Sequence, residues 1–314
     1  MINSHPMVEL RGVYRYFGTT KAVQDVSFQI RRGEVFGYIG PNGAGKTTSI
    51  RILSTLDLPN QGDAYVDGFS VIDDPDRVRR RLGYMPDSFG TYSDVNVTEY
   101  LDFFARSYGL IGRERTRAMR HVMSFTMLDQ MADKPINGLS KGMKQRLCLG
   151  RAMIHDPSVL ILDEPAAGLD PRARIELREM IRQLADDGKA ILISSHILSE
   201  LAEMCDTVGI IEQGKLLATG SVDEIQQGFQ EHRFVRVRLL GEIEALTSWL
   251  AKREDVGEVQ LDGQIVIFAH TGDRESEVAL LRELVQADFA IAEFGSHEQS
   301  LEDVFLQVTE GRVQ

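Results

Sequence analysis

Cysteine is scarce: Cys148 and Cys205 are the two in a chain of 314 residues, both in helix-like contexts and without metal-ligand spacing. That excludes a disulfide-built scaffold and a thiolate metal centre, and it fits small buried hydrophobes in a reducing compartment. Long apolar runs are missing as well. No window approaches the roughly 18 consecutive apolar residues that a membrane helix needs, and the start, MINSHPMVEL, has neither the basic stretch nor the apolar core of a signal peptide. A cytosolic chain is expected, one that meets a membrane only through a partner. Positive charge is in deficit, since 35 Lys and Arg face 47 Asp and Glu for a net charge of -12. General binders of nucleic acid or of anionic membranes depend on a positive field, so no nucleic-acid partner is expected. The run Arg77-Val-Arg-Arg-Arg81 then reads as a solvated helix face. Low-complexity tracts are absent, and 43% apolar with 26% charged residues is an ordinary globular composition. The length suits one large domain followed by a smaller one.

What is present begins with EVFGYIGPNGAGKTTSIRIL. A β-rich segment, Glu34 to Ile39, runs into a glycine loop and then into helical spacing through Ile50, Leu53 and Leu56. Glycines at 40, 43 and 45 let successive backbone N–H groups turn inward as an anion nest, and the helix N-terminus adds its positive dipole end. Asn42, Gly43, Ala44, Gly45, Lys46, Thr47 and Thr48 are the candidate phosphate-binding run. Lys46 is placed to reach the β and γ phosphates of a nucleoside triphosphate, and the Thr47 hydroxyl is offered to Mg²⁺.

A second element, SVLILDEPAAGLDP, opens with the continuous apolar strand of a doubly covered sheet and ends in two acids. Asp163 and Glu164 thus emerge where α/β sheets place ligands. Asp163 suits the Mg²⁺ hydration shell, and Glu164 suits orienting or deprotonating an attacking water. Between the two lies INGLSKGMKQRLCLGRAMI, in which Ser140 stands as an N-cap, Gly142 keeps the first turn open, and Leu147, Leu149, Ala152 and Met153 form an apolar face. Taken alone this is an ordinary capped helix; beside a phosphate loop it is a second anion site. Another apolar strand, in KAILISSHILSEL, ends at Ser194, Ser195 and His196, and the histidine is a candidate hydrogen-bond partner for a γ-phosphate.

Together these motifs, in this order, resemble the ATP-binding cassette (ABC) family over about Val8 to Phe229. Gly40 to Thr47 resembles its P-loop, Leu139 to Met143 its signature, Leu160 to Glu164 its Walker B strand, Gly168-Leu-Asp170 its D-loop and His196 its switch histidine. The resemblance implies an α/β fold: a RecA-like P-loop ATPase lobe with a helical insert at about 96–155 and a small β subdomain, the whole occupying 1–228. It implies that Phe17, with Tyr16 as the second choice, stacks on adenine and that Val23 packs beside it. It also implies a homodimer or a paralogue dimer, because Ser140 and Gly142 would complete the nucleotide site of a facing cassette. Lys141 departs from the common glycine and Met143 from the common glutamine. A third departure is Asp87, which stands where the family normally has a glutamine that touches Mg²⁺ and the attacking water; it is a candidate metal ligand, followed by a coupling turn at Ser88 to Tyr92.

From residue 229 to 314 the pattern changes to β-α-β-β-α-β, the order of a ferredoxin-like α+β unit, with a hairpin turn at Asp262-Gly263. Helical stretches are expected at Ile243 to Ala251 and Glu275 to Val285, and a final amphipathic helix with Leu301, Val304, Phe305 and Val308 on one face. The wording SLEDVFL resembles the ATPase subunits of ABC-2 type exporters of the drug-resistance group. The expectation is an ATP- and Mg²⁺-dependent ATPase, peripheral on the cytoplasmic face of the cell membrane, that energises a transmembrane permease on a separate chain. The competing expectation is a soluble ABC ATPase acting on a ribosome or DNA complex. The transported molecule is not encoded here, because its contacts would belong to the permease.

Overall fold

The computed structural model of the chain describes residues 5–88, 90, 94–197, 201, 203–228 and 233–297. It divides into two compact units, one ending at Val222 and one beginning at Asp223.

The first unit opens with the long strands β1 (Val8–Phe17) and β2 (Thr20–Ile30), followed by β3 (Val35–Ile39), helix α1 (Lys46–Leu53), and the strands β4 (Gln61–Val66) and β5 (Phe69–Ser70). Next come α2 (Pro75–Arg81), β6 (Leu82–Met85), α3 (Val97–Ser107), α4 (Gly112–Phe125) and α5 (Lys141–Met153). The unit closes with β7 (Val159–Asp163), α6 (Pro171–Asp186), β8 (Ala190–Ser195), β9 (Thr207–Glu212) and β10 (Lys215–Ser221). Two sheets result. A four-stranded antiparallel sheet, β2-β1-β4-β5, carries the alternating strands, and a six-stranded sheet, β10-β9-β3-β8-β7-β6, carries the continuous apolar ones. Every residue of β3, β7 and β8 is buried, as strands covered on both faces require.

In the larger sheet β9, β3, β8, β7 and β6 run parallel, and only β10 at one edge is antiparallel. All the parallel strands therefore deliver their C-terminal ends to one side, which is where a doubly wound sheet binds ligands. The register fixes who stands beside whom: Val35 pairs with Ile191, Leu160 with Ile191, and Met85 with Leu162. This is the α/β lobe that the sequence predicts. Helices α3, α4 and α5 fall in the expected insert. Asn96 and Glu99 cap α3 reciprocally, Ser140 caps α5 by accepting from the Met143 N–H, and Asp170 caps α6 by accepting from the Ala173 N–H.

The second unit begins within α7 (Val222–Gly228) and continues with β11 (Arg233–Leu239), α8 (Ile243–Leu250), β12 (Val256–Asp262), β13 (Ile265–His270), α9 (Arg274–Gln286) and β14 (Ile291–His297). Its sheet order, β12-β13-β11-β14, is antiparallel throughout and is the ferredoxin-like arrangement expected from the β-α-β-β-α-β pattern. Val235, Val237 and Leu239 of β11 pack with Leu246, Leu250, Phe268, Leu280 and Leu284 in a core of the unit's own. Gly263 takes φ +58° in the β12–β13 hairpin, where the sequence places the turn. The expected boundary at Gly228 is the end of α7, whereas the division by compactness falls at that helix's start. The predicted terminal helix with Leu301, Val304, Phe305 and Val308, and most of the Ser88–Tyr92 turn, lie outside the described residues. Among the described residues no helix is long and apolar enough to cross a membrane.

Candidate functional site

The loop between β3 and α1 owes its shape to two glycines that nothing else can replace. A Cβ on Gly40 would lie 2.2 Å from the Ile211 carbonyl oxygen, and one on Gly45 would lie 2.4 Å from that of Ala22. Gly45 also holds φ +109° as the N-cap of α1, a conformation that L side chains avoid. As no side chain caps α1, its first backbone N–H groups remain available to a ligand. The loop lines a cleft of about 670 Å³ together with Lys46, Thr47, Thr48, Asp87, Glu164 and His196.

Lys46 is buried and its ammonium folds back onto its own loop, donating to the carbonyl oxygens of Gly40 (2.5 Å) and Pro41 (3.3 Å). It also stands 3.6 Å from Glu164 Oε1. Burial lowers its pKa, and the Glu164 carboxylate opposes that shift. Glu164, one residue beyond β7, holds φ +50°, a left-handed conformation uncommon for a side chain of this size. Such strain persists where neighbours pin it. The pin is Ser194 on the adjacent strand, whose Oγ accepts the Glu164 backbone N–H (2.9 Å) and donates to Asp163 Oδ1 (2.5 Å). Asp163 is 2% exposed, and burial pushes its carboxyl up. The Ser194 hydrogen bond opposes that shift, and the negative charges of Glu164 and Asp87 add to it. His196 Nδ1 donates to Glu164 Oε2 at 2.8 Å, so the histidine expected at a γ-phosphate is here engaged with the neighbouring carboxylate.

Other predicted residues lie elsewhere. Ser140 is exposed at the N-terminus of α5 and does not line this cleft. A Cβ on Gly142 would meet Ala173 Cβ at 3.1 Å, so the α5 start packs closely on the start of α6. Phe17 ends β1 with 49% of its surface exposed and the Arg15 guanidinium 4.5 Å from its ring centroid, outside the cleft lining. Val23 is a correction: its side chain is 0% exposed in the core beneath the antiparallel sheet, so it presents no surface to a nucleotide. Its register partner on β1 is Arg15. Sequence reasoning missed Thr20, Lys21 and Gln24, which line the cleft from β2, and Gln213, which lines it from the β9–β10 turn. Gln24 Nε2 donates to the Gln213 carbonyl and ties β2 to the β9–β10 turn, a contact across 189 positions that no local pattern announces. Ser194 was visible as a polar residue closing an apolar strand, and only the register gives it a task.

Residues 23–167 match the family described as ABC transporter, and residues 220–309 match the one described as ATP-binding protein DrrA1-3-like, C-terminal domain. The chain is 34% identical over 310 residues to the Nod factor export ATP-binding protein I of Ralstonia nicotianae, covering 98% of this chain and 95% of that protein. It is 29% identical over 305 residues to the linearmycin resistance ATP-binding protein LnrL of Bacillus subtilis, covering 96% and 98%. Among solved structures, the ATP-binding subunit of an ABC transporter superimposes with a TM-score of 0.66 at 30% identity, over 78% of this chain and 99% of that one. A dimeric ATP-binding cassette in a post-hydrolysis state bound to ADP and Pi gives 0.62 at 24% identity, over 68% and 98%, a likeness of fold.

Proposed function

The chain belongs to the ABC transporter ATP-binding family, and from that premise we propose that it binds and hydrolyses ATP to drive export through a membrane-spanning partner on another polypeptide. The observation that carries the proposal is convergence. The P-loop after β3, Asp87 after β6, Asp163 and Glu164 at β7 and His196 after β8 all stand at the C-terminal ends of adjacent parallel strands. Export is supported by relatives that match almost end to end, with names that specify Nod factor export and linearmycin resistance, and by the second unit, which matches a domain of ATP-binding proteins of the DrrA kind. Nothing favours a ribosome- or DNA-directed machine.

On this reading the loop N–H groups cradle the phosphates, and Lys46 exchanges its Gly40 and Pro41 carbonyls for phosphate oxygens. Glu164 orients the attacking water and takes its proton, while His196 fixes the carboxylate's direction through Oε2. The donor set suits Mg²⁺. Thr47 and Asp163 offer a hydroxyl and a carboxylate, and the described residues contain no group of three or more His, Cys, Asp or Glu able to cage an ion. Mg²⁺ characteristically takes one or two carboxylates and completes its shell with water and substrate phosphates. When bound it neutralises charge building on the β and γ phosphates. Ser140 and the N-terminus of α5 that it caps are left for a second cassette, in a homodimer or with a paralogue, since Ser140 does not line the cleft of its own chain.

The test is Glu164→Gln, which preserves shape and removes the proton acceptor. Turnover should fall by about 10² or more with ATP affinity retained, because acid–base catalysis is worth that much. Wild-type turnover in the purified variant would overturn the assigned role.

A further inference from the structure

Three carboxylates meet in the nucleotide cleft region, and they are not equally provided for. Asp163 accepts from Ser194, and Glu164 is held between His196 and Lys46. Asp87 lines the cleft, is exposed, and has no hydrogen-bond or ion-pair partner among the described residues. Its position is set by the sheet. Strand β6 runs parallel to β7 with Met85 beside Leu162, so Asp87 and Glu164, each two residues further on, leave the sheet at the same level. The Lys46 ammonium is already shared with Glu164, and among the described residues no Lys or Arg, Lys21 of the same cleft included, forms an ion pair with Asp87 beside the place where a triphosphate would sit.

We propose that Asp87 makes nucleotide binding itself, and not only hydrolysis, conditional on a divalent cation. A metal-free triphosphate entering the cleft faces a carboxylate with no ion-pair partner, and the two repel, the solvent around Asp87 weakening but not cancelling the effect. With a divalent cation on the phosphates, the same carboxylate meets a net positive neighbour, as an oxygen ligand or through a bound water, and the repulsion turns to attraction. A neutral amide at this position would make neither difference. The device would keep the cleft closed to free ATP and admit the form that can react. This inference rests on the ATP-site reading above and extends it by naming the state of the nucleotide that is selected.

The experiment is equilibrium binding of the non-hydrolysable analogue AMP-PNP to the full chain, by calorimetry, with excess Mg²⁺ and with EDTA. It compares wild type, Asp87→Asn and Asp87→Glu, with thermal unfolding as the check on folding. Wild type should bind at least 100-fold more weakly in EDTA than in Mg²⁺. Asp87→Asn should shrink that ratio tenfold or more, chiefly by tightening metal-free binding, and Asp87→Glu should keep it. Added salt, which screens the repulsion along with the attraction of Lys46, should weaken metal-free binding less in wild type than in Asp87→Asn. An unchanged ratio in Asp87→Asn overturns the proposal, and so does a ratio that shrinks only because Mg²⁺-supported binding weakens, which makes Asp87 a metal ligand without the gating. A wild type that binds no AMP-PNP even with Mg²⁺ overturns the ATP-site reading itself, an outcome separate from both.

Discussion

Ser194 serves two neighbours through one oxygen: it donates to Asp163 and accepts from the backbone of Glu164. The first bond offsets the burial that raises the Asp163 carboxyl, and the second holds Glu164 in its left-handed conformation. Removing the hydroxyl leaves a buried acid short of a donor and a strained residue unpinned. Hydrogen bonds to charged groups contribute about 1.5–3 kcal/mol, so Ser194→Ala should lower kcat by roughly tenfold to a hundredfold, since each 1.36 kcal/mol is a factor of ten. The P-loop contacts of Lys46 are untouched, so ATP affinity should stay within about threefold on the same reasoning. Ser194→Thr, which restores the oxygen, should recover most of the loss. Steady-state kinetics checks both, and a kcat unaffected in Ser194→Ala would show that the bonds position nothing.

At the scale of elements, the helical insert is keyed to β6, the strand that leads to Asp87. Arg151 of α5 donates to the Tyr84 carbonyl and the Tyr100 hydroxyl and lies over the Phe104 ring. His155, just past α5, donates from Nε2 to the Leu82 carbonyl and stacks on Tyr108 with ring centroids 3.7 Å apart. Burial lowers the His155 pKa to about 4, the Leu82 hydrogen bond opposing it. The unfolded value is near 6.5, so the fold prefers the neutral ring. Its contribution is complete above pH 6.5 and declines as pH falls from there towards 4. His155→Phe keeps the stack and removes the titration, so its melting temperature should fall less steeply than that of wild type between pH 6.5 and 4.5. Parallel curves would remove His155 from the acid response. None of this key was legible in the sequence, although the elements themselves were. Continuous apolar runs announced β3, β7 and β8, because strands covered on both faces have no polar alternation to hide them. Contacts such as Tyr108 with His155 depend on how the insert folds back over the sheet, and the inward direction of Val23 depends on a β1–β2 register interrupted by bulges. A local pattern carries neither.

At the scale of the molecule, the question is whether the two units stand as separate thermodynamic bodies. The first has two sheets and the second one, each unit has its own apolar core, and the nucleotide cleft belongs wholly to the first. The chain provides a reporter for this, since its one tryptophan, Trp249, lies on α8 of the second unit against Phe289 and beneath the Arg253 guanidinium. Tryptophan fluorescence therefore follows the second unit alone, whereas far-ultraviolet circular dichroism follows both. A ligand that binds only the native first unit stabilises it by RT ln(1 + [L]/Kd), about 2.7 kcal/mol at a hundredfold excess over Kd. In urea unfolding of Glu164→Gln, which spares the nucleotide from hydrolysis, Mg²⁺-ATP should shift a dichroism transition to higher urea and leave the Trp249 transition where it was. At a urea m-value of roughly 1–3 kcal/mol/M the shift is about 1–3 M, well resolved. If the fluorescence midpoint moves together with the dichroism, the units unfold as one cooperative body, and a nucleotide bound in the first unit is then energetically felt at α8 of the second.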